Sequence, residues 1–343
     1  MPAIEKLLPT SVIGSYATPS WLWTALDEIK AGRYGSTDQR ETFNDAVSIA
    51  IRDQERAGMD IITDGEMRRF FFVQNFYGRM AGLESQEPLR QTGLYGYDSV
   101  PRYMPRTRIT VPEGLGIVQE FGYLKANTDR AIKATCPGPV TLTIHIRLKD
   151  KSIYKDRVEL AAEFADVINA ELKALVEAGA TYVQLDEPAA AIVQGSLRDW
   201  VDLMNRALDG VKARRCLHVC FGNLLSRPRG ERRYGWMFPL LNEVQVNEFA
   251  LEFANREMVE IDIAREFAGE RDFSAGLVDV KSFWVEPPET IADRIRKVLE
   301  YVPAERLTVV PDCGFFPVPR WLAFEKMKNM VKGVDMVRRE LEG

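Results

Sequence analysis

The alternation of short β-rich runs with stretches of helical periodicity is the feature that most restricts how this chain can fold. Eight runs have the composition of strands, at residues 11–16, 60–64, 131–141, 181–186, 216–222, 243–252, 273–282 and 307–312. Helical periodicity covers residues 38–56, 158–178, 289–302 and 321–341. Strands that alternate with helices build parallel sheets covered by helices. The pattern therefore predicts an α/β fold of the (β/α)₈ TIM-barrel type, with an open doubly wound sheet as the alternative.

The chain length of 343 residues fits one such barrel, and we expect residues 1–343 to form a single catalytic domain. Residues 68–125 interrupt the alternation with a polar, aromatic stretch. Long excursions in a compact domain are usually lids or binding loops. We therefore expect an insertion after the second strand, in the form of a hairpin or lid over the barrel mouth.

Composition and charge exclude several classes of partner. The formal net charge is −5 and no long basic run occurs, which argues against nucleic acid. No apolar run approaches the roughly 18 residues of a membrane span, and no secretory signal precedes the first strand. Only four cysteines occur, which is typical of a reducing compartment. We expect a cytoplasmic enzyme that acts on small-molecule substrates and has no nucleic-acid or membrane partner.

Three metal-binding side chains occupy alternate positions at Cys216, His218 and Cys220. In a strand these side chains point to one face, and thiolate with imidazole is a ligand set that zinc prefers. Strand residues two apart are separated by about 6.6 Å, which two side chains can close around an ion, whereas residues four apart are about 13 Å apart. His218 can therefore pair with either cysteine, and the other ligands must come from elsewhere.

The carboxyl ends of barrel strands carry the chemistry of this fold. Imidazole, thiol and carboxylate groups stand at the predicted ends of the fifth, sixth and eighth strands: His218, Cys220, Glu252 and Cys313. Together they form a set of nitrogen, sulfur and oxygen donors suited to tetrahedral Zn²⁺. The sequence therefore predicts a zinc site and names Zn²⁺ as the cofactor.

Taken together, these motifs resemble the catalytic barrel of the cobalamin-independent methionine synthase family, in a short single-barrel form. The segments that carry the resemblance are Val12-Ile-Gly-Ser-Tyr16, Thr63-Asp-Gly-Glu66, Pro137-Gly-Pro-Val-Thr141, Val183-Gln-Leu-Asp-Glu-Pro188, Leu217-His-Val-Cys220, Val246-Asn-Glu-Phe-Ala-Leu-Glu-Phe-Ala254 and Pro311-Asp-Cys-Gly314. The resemblance implies that zinc is held by the four residues just named, and it selects Glu252 over Glu248. Cys136 and Cys216 have no role in the family and are expected to be packing residues.

The resemblance also implies a reaction. Zinc would hold the thiol of homocysteine as a thiolate, which takes a methyl group from a donor to give methionine. The amino acid would be gripped by the loop after the first strand, at Ile13, Gly14 and Ser15. Two carboxylates, Glu66 and Asp186, would bind its ammonium group.

Three departures from the family pattern concern the methyl donor. His145 stands where the family has a pterin-stacking Trp, and an apolar residue near Ile192 replaces a pterin-binding Glu. Lys281 replaces the family's catalytic His, and its ordinary pKa suits proton transfer at neutral pH less well. These changes argue against a folate as the methyl donor. A methylated corrinoid, either free methylcobalamin or a group carried by a corrinoid protein, is the alternative donor.

Two other functions share this barrel. Relatives that open epoxides with coenzyme M keep the zinc chemistry. The sulfonate group of that thiol matches Lys281 or Arg68 better than it matches the carboxylates of Glu66 and Asp186. A metal-free decarboxylase-like lyase would bind no zinc and would have an arginine-rich mouth. A non-catalytic binding role fits least, because predicted metal ligands and substrate-binding residues occur together.

Overall fold

The computed structural model of the protein describes residues 6–69, 71–88, 100–223, 231–267 and 269–343. Within these residues the helices are α1 (Ser20–Lys30), α2 (Ser36–Ala57), α3 (Gln74–Tyr77), α4 (Ile117–Ala126), α5 (Arg157–Glu177), α6 (Ala189–Ile192), α7 (Leu197–Leu208), α8 (Pro288–Leu299) and α9 (Arg320–Glu342). The strands are β1 (Ile61–Ile62), β2 (Ala81–Gln86), β3 (Arg102–Thr110), β4 (Ala131–Ile132), β5 (Ala134–Pro137), β6 (Tyr182–Asp186), β7 (Arg214–Val219), β8 (Glu248–Glu252), β9 (Asp272–Val278) and β10 (Leu307–Pro311).

The chain divides into two compact units. One comprises Met1–Arg68, Glu120–Lys133 and Phe249–Gly343, and the other comprises Arg69–Gln119 and Ala134–Glu248. The expectation of a single catalytic domain stays a prediction.

Parallel strands form the sheet of the first unit. Strand β9 lies between β8 and β10, and Phe273 aligns with Leu307 in the β9–β10 register. Thr10 pairs with Val309 of β10. The neighbouring Ser11 pairs with β1, which in turn pairs with β4. Of the first strand predicted at residues 11–16, only Ser11 pairs, next to Thr10 outside the predicted range, and residues 12–16 form a loop.

The second unit contains the parallel strands β5, β6 and β7 and an antiparallel hairpin of β2 and β3. Register in the parallel strands places Pro137 opposite Asp186 and Asp186 opposite His218. All five residues of β6 are buried, as expected for a parallel strand covered on both faces. Polar residues at the ends of these three strands are therefore brought into one layer.

The helices begin and end close to the predicted bounds, because their amphipathic periodicity and capping signals are local. Asp156, for example, is the N-cap of α5 and accepts a hydrogen bond from the Glu159 amide at 3.0 Å. The strands are shorter than predicted. The run at 131–141 becomes β4 and β5 and then a 3₁₀ turn at Thr141–Thr143, since the prolines at 137 and 139 cannot donate to a ladder.

The insertion predicted at 68–125 contains the hairpin of β2 and β3 followed by α4. Its residues 89–99 lie outside the described part of the chain. The hairpin is confirmed as an element, whereas its role as a lid stays a prediction. No helix in the described ranges is both long and apolar enough to cross a membrane.

A buried carboxylate fixes the start of the parallel sheet in the first unit. Asp60, which precedes β1, accepts hydrogen bonds from the amide and hydroxyl of Thr10, each at 3.0 Å. Arg338 of α9 donates to the same carboxylate at 2.7 Å. Burial alone would raise the pKa of Asp60, but the hydrogen bonds from Arg338 and Thr10 hold that pKa below its usual value.

We expect Asp60→Asn to lower the free energy of unfolding by about 2–3 kcal/mol at pH 7, because Arg338 loses its buried partner. The pKa of Asp60 is lower in the folded protein than in the unfolded chain. Its ionised form therefore stabilises the fold above the unfolded-state value of about 3.9, and this contribution is lost as pH falls through the folded-state value. Urea unfolding at stepwise lower pH should show that the difference in free energy of unfolding between the variant and the parent protein becomes smaller.

Asp335→Asn is the matched control, since Asp335 pairs with the same Arg338 at 3.0 Å but is about half exposed, at 51%. Asp335→Asn should lower the free energy of unfolding by less than about 1 kcal/mol. Equal losses for the two variants, or a gap independent of pH, would contradict the assigned role of Asp60.

Candidate active site

His218 lies near the end of β7 and is held by a carboxylate on the adjacent strand. Its Nδ1 is 2.8 Å from Asp186 Oδ1, and both side chains are almost fully buried. Gln184 donates to the same oxygen at 2.7 Å. An imidazole whose Nδ1–H donates to a carboxylate has its lone pair on Nε2, which is the usual state of a metal-binding histidine. Asp186 therefore orients His218, a role that the sequence analysis did not assign to it.

A group that could hold a metal ion occurs in the described residues. It consists of His218, Cys220 and Cys313, of which each offers one ligand atom within 4.8 Å of the other two. Cys220 follows the last residue of β7 and Cys313 lies beyond the end of β10. Cys216 and Cys136 are fully buried and do not belong to the group. Spacing alone left open whether Cys216 or Cys220 groups with His218, and the structure groups Cys220 with it.

Glu252 is not a member of that group. It ends β8 and accepts a hydrogen bond from Lys281 Nζ at 2.8 Å. Both side chains are buried, at 0% and 1% exposure, so the two charges are paired away from solvent. The assignment of Glu252 as a fourth ligand and of Lys281 as a catalytic group stays a prediction.

Asp312 joins the ends of β8 and β10. Its Oδ1 accepts from the amides of Phe253 and Ala254 at 2.8 and 2.9 Å, and its Oδ2 accepts from the Asn255 amide at 2.6 Å. Burial and the nearby negative charge of Glu252 raise the pKa of Asp312 to about 8. In the sequence, Asp312 stands out only as the neighbour of Cys313 in the Pro311–Gly314 segment.

The loop predicted to grip the amino acid is tied to the segment that follows Cys313. Ser15 accepts a hydrogen bond at its carbonyl from the Phe315 amide at 2.9 Å. A Cβ atom at Gly314 would lie 1.9 Å from Ser15 Oγ and 3.2 Å from Ser15 Cβ, so a side chain there would displace the Ser15 hydroxyl. The Gly14 carbonyl accepts from the Thr63 hydroxyl at 2.8 Å, and Ile13 is buried. These contacts fix the loop's conformation.

Glu66 follows β1 in a strained conformation. Its φ of 54° lies in the left-handed region, which is uncommon for a residue with a side chain. Its amide donates to Asp64 Oδ1 at 3.0 Å, and its side chain is buried. The preceding Gly65 also has positive φ, and a Cβ there would lie 2.7 Å from Ala50 Cβ. Such strain is found preferentially at functional sites.

A second buried carboxylate, Glu187, shapes the turn after β5. It accepts from the amides of Val140 and Thr141 at 2.9 and 2.8 Å. A Cβ at Gly138 would lie 2.2 Å from Glu187 Oε2, which explains the glycine of the Pro137-Gly-Pro motif. Burial raises the pKa of Glu187 to about 7, although hydrogen bonds from Thr141 oppose this shift. Glu187 belongs to the Val183–Pro188 motif, but its hydrogen-bond partners lie about 46 residues earlier in the chain and were not predictable from that motif.

A cavity of about 260 Å³ opens in the second unit beside these turns. Its lining combines apolar, hydroxyl, amide and guanidinium groups, from Phe72, Arg102, Thr141, Ile144, Arg157, Pro188, Ala189, Ile192, Val193, Gly222 and Asn223. His145 is buried and does not line the cavity. Its Nδ1 lies 2.6 Å from Arg102 Nη1, so Arg102 is the lining residue that His145 supports. The two arginines were not identified from the sequence.

Comparison with known proteins agrees with this architecture. Residues 8–335 match the catalytic domain of the cobalamin-independent synthases. The methionine synthase of Thermococcus kodakarensis is 37% identical over 98% of this chain and 95% of its own length, and that of Saccharolobus solfataricus is 36% identical over 98% and 96%. A B12-independent methionine synthase from Shewanella sp. W3-18-1, solved in complex with selenomethionine, superposes with a TM-score of 0.84 at 26% identity over 98% of this chain and 99% of its own.

These relatives are TIM-barrel-type enzymes, which confirms the predicted fold class and the prediction of a methyltransferase. Nearly the whole chain takes part in each match, so the assignment does not depend on one motif. The protein belongs to the cobalamin-independent methionine synthase family.

Proposed function

We propose that the protein transfers a methyl group to the sulfur of homocysteine, with Zn²⁺ held by His218, Cys220, Cys313 and Glu252. The observation that carries this proposal is the meeting of one imidazole and two thiols from separate segments of the chain within 4.8 Å. Two thiols and an imidazole match the preference of zinc for soft and borderline donors. The hydrogen bond from His218 to Asp186 supports the assignment, because metal-binding histidines usually carry such a partner.

Zinc bound at these residues would lower the pKa of a substrate thiol, so that the thiolate is present at neutral pH. The rest of the reaction depends on binding and orientation by the chain's own residues, since proximity converts a reaction between two molecules into one within a single complex. The thiolate must meet the methyl carbon of the donor in line with its leaving group.

The amino-acid end of homocysteine needs carboxylates for its ammonium group. Asp186 Oδ2 is buried and accepts no hydrogen bond from any residue that the structure describes. A buried carboxylate oxygen of this kind is costly unless a ligand satisfies it, and an ammonium group would do so. We assign Asp186 and Glu66 to the ammonium group, and the loop of Ile13, Gly14 and Ser15 to the rest of the amino acid.

The methyl donor would bind in the cavity lined by Arg102 and Arg157. Arg157 Nη1 donates to the carbonyl and hydroxyl of Thr143, each at 2.7 Å, which holds the guanidinium at the cavity wall. No carboxylate in the described ranges lies within ion-pair distance of Arg157. The volume of this cavity is smaller than that of a complete small-molecule site, which is about 300–1,000 Å³. We therefore assign the cavity to one end of the donor, bearing a carboxylate of a folate or the phosphate of a methylated corrinoid.

Cys313→Ser should remove one thiolate from the metal site, so purified protein should lose stoichiometric zinc and lose thiol methylation while its unfolding transition remains cooperative. Metal content measured by atomic emission and methionine formation from homocysteine test this expectation. Cys216→Ala is the control, because Cys216 is buried outside the metal-binding group and should leave the zinc content unchanged. Full zinc content and normal activity in Cys313→Ser would rule out the proposed site.

Arg157→Met should raise the KM for an anionic donor by about tenfold or more, since a hydrogen-bonded ion pair to the donor is lost. The KM for homocysteine should change little. Steady-state kinetics with methylcobalamin and with methylfolate would show which donor depends on the arginine.

Arg106→Met provides the control, because Arg106 lies on β3 and its side chain is exposed at 59%. A similar change in donor KM for both variants, or no change in either, would contradict the assignment of the cavity to the donor.

A further inference from the structure

A buried aspartate just after β1 has one oxygen that the described part of the chain does not satisfy. Asp64 is exposed at only 6%. Its Oδ1 accepts a hydrogen bond from the Glu66 amide at 3.0 Å. Its Oδ2 is also buried and accepts no hydrogen bond from any residue that the structure describes. A buried carboxylate oxygen in this state is costly, so it indicates a ligand group that binds there.

The other buried aspartates that the structure describes in the first unit differ from Asp64 in this respect. Arg320 donates to both oxygens of Asp53, at 2.6 and 3.0 Å. Asp60 and Asp312 also accept hydrogen bonds at both of their oxygens. These three carboxylates are satisfied within the chain and connect segments of the fold. Asp64 uses only one oxygen in that way.

The residues on either side of Asp64 are bonded to the loop assigned to the amino acid. The Thr63 hydroxyl donates to the Gly14 carbonyl at 2.8 Å. The Tyr16 amide donates to the Gly65 carbonyl at 2.9 Å. Asp64 therefore lies between two residues that contact this loop, and the contacts that position the loop also position Asp64.

A strained turn fixes the orientation of the Asp64 carboxylate. Gly65 and Glu66 both have positive φ, at 69° and 54°. This turn brings the Glu66 amide to the side chain two residues before it. Left-handed backbone is uncommon for a residue with a side chain, and such strain persists preferentially at functional sites. The hydrogen bond occupies Oδ1, so Oδ2 is the oxygen available to a ligand.

We propose that Asp64 Oδ2 accepts a hydrogen bond from the ammonium group of the substrate amino acid, so that Asp64 makes the protein select thiols that carry an ammonium group. This inference rests on the proposed function. An ionised carboxylate only accepts hydrogen bonds, which excludes the carboxylate of the amino acid as its partner. An ammonium group has three N–H donors. Glu66 and Asp186, as assigned above, accept from two of them, and Asp64 supplies the third acceptor.

The test is the preference of Asp64→Asn for homocysteine over γ-mercaptobutyrate, which is homocysteine without its ammonium group. Asparagine keeps an oxygen for the Glu66 amide but replaces Oδ2 by an NH₂ group, which cannot accept. In steady-state kinetics of the full-length, zinc-loaded protein, the ratio of kcat/KM for the two thiols should fall by about tenfold or more, since a hydrogen bond between charged groups is lost. The zinc content and the KM for the methyl donor should change little.

Two readouts do not depend on methyl transfer. Methionine keeps the ammonium group but has no free thiol, and calorimetry should show its Kd rising by about tenfold or more in Asp64→Asn. Without ligand, the Tm of Asp64→Asn should equal or exceed that of the parent protein, because a neutral amide replaces a buried charge. A merely structural role for Asp64 would instead lower the Tm and affect both thiols alike.

Asp53→Asn is the matched control, since Asp53 is buried in the same unit but is bonded to Arg320 at both oxygens. It should lower the Tm and leave the preference between the two thiols unchanged. Asp64→Ser is the second variant at the site. Its hydroxyl can accept from the Glu66 amide, but it has no counterpart of Oδ2. Asp64→Ser should therefore lose the preference as Asp64→Asn does.

The outcomes separate this inference from the function on which it rests. A zinc-loaded parent protein that neither methylates homocysteine nor binds methionine would overturn the proposed function. A parent protein that does both, with Asp64 variants that keep its thiol preference and its methionine affinity, would overturn only the role of Asp64. An equal rise in KM for the two thiols would also overturn that role, because the ammonium group would then not be the group that Asp64 binds.

Discussion

Buried polar groups at the ends of parallel strands need a partner, which either the protein or a ligand supplies, and this constraint organises the candidate site. Parallel strands bring their carboxyl ends into one layer, where main-chain pairing stops but solvent is still excluded. The protein satisfies these ends with carboxylates that bind backbone amides, as Glu187 does for the turn after β5 and Asp312 does for the turn after β8. In the second unit, Asp186 at the end of β6 orients His218 of the adjacent strand β7. The polar contacts that support the fold are thus also those that position the predicted metal ligands.

The order of strands and helices could be predicted from the sequence because its signals are local. Periodicity and capping residues predicted the bounds of α5 closely, as the N-cap at Asp156 illustrates. Strand ends were less predictable, since pairing depends on neighbours distant in sequence. The run at 216–222 reads as one strand, yet β7 stops at Val219 and Cys220 follows it. Of the three alternating side chains, only those of Cys216 and His218 therefore belong to the strand and share one of its faces.

The candidate site was predictable in its residue types and less so in its contacts. His218, Cys220 and Cys313 were identified from the ends of predicted strands and by resemblance, and they do form one group. The ion pair between Glu252 and Lys281 was not predictable, because the sequence gives the position of a residue but not the direction of its side chain. Arg102 and Arg157 escaped notice for the same reason, since arginines are common on surfaces and only tertiary packing makes these two line a cavity.

The contact between Ser15 and Gly314 has a consequence for how substrate and metal affect each other. The loop assigned to the amino acid lies against the residues after Cys313, because a Cβ atom at Gly314 would lie 1.9 Å from the Ser15 hydroxyl and the Phe315 amide donates to the Ser15 carbonyl at 2.9 Å. A displacement of one segment is therefore passed to the other through this backbone hydrogen bond. Binding equilibria linked in this way are reciprocal. If occupancy of the metal site strengthens the grip on the amino acid, the amino acid strengthens retention of the metal by the same factor.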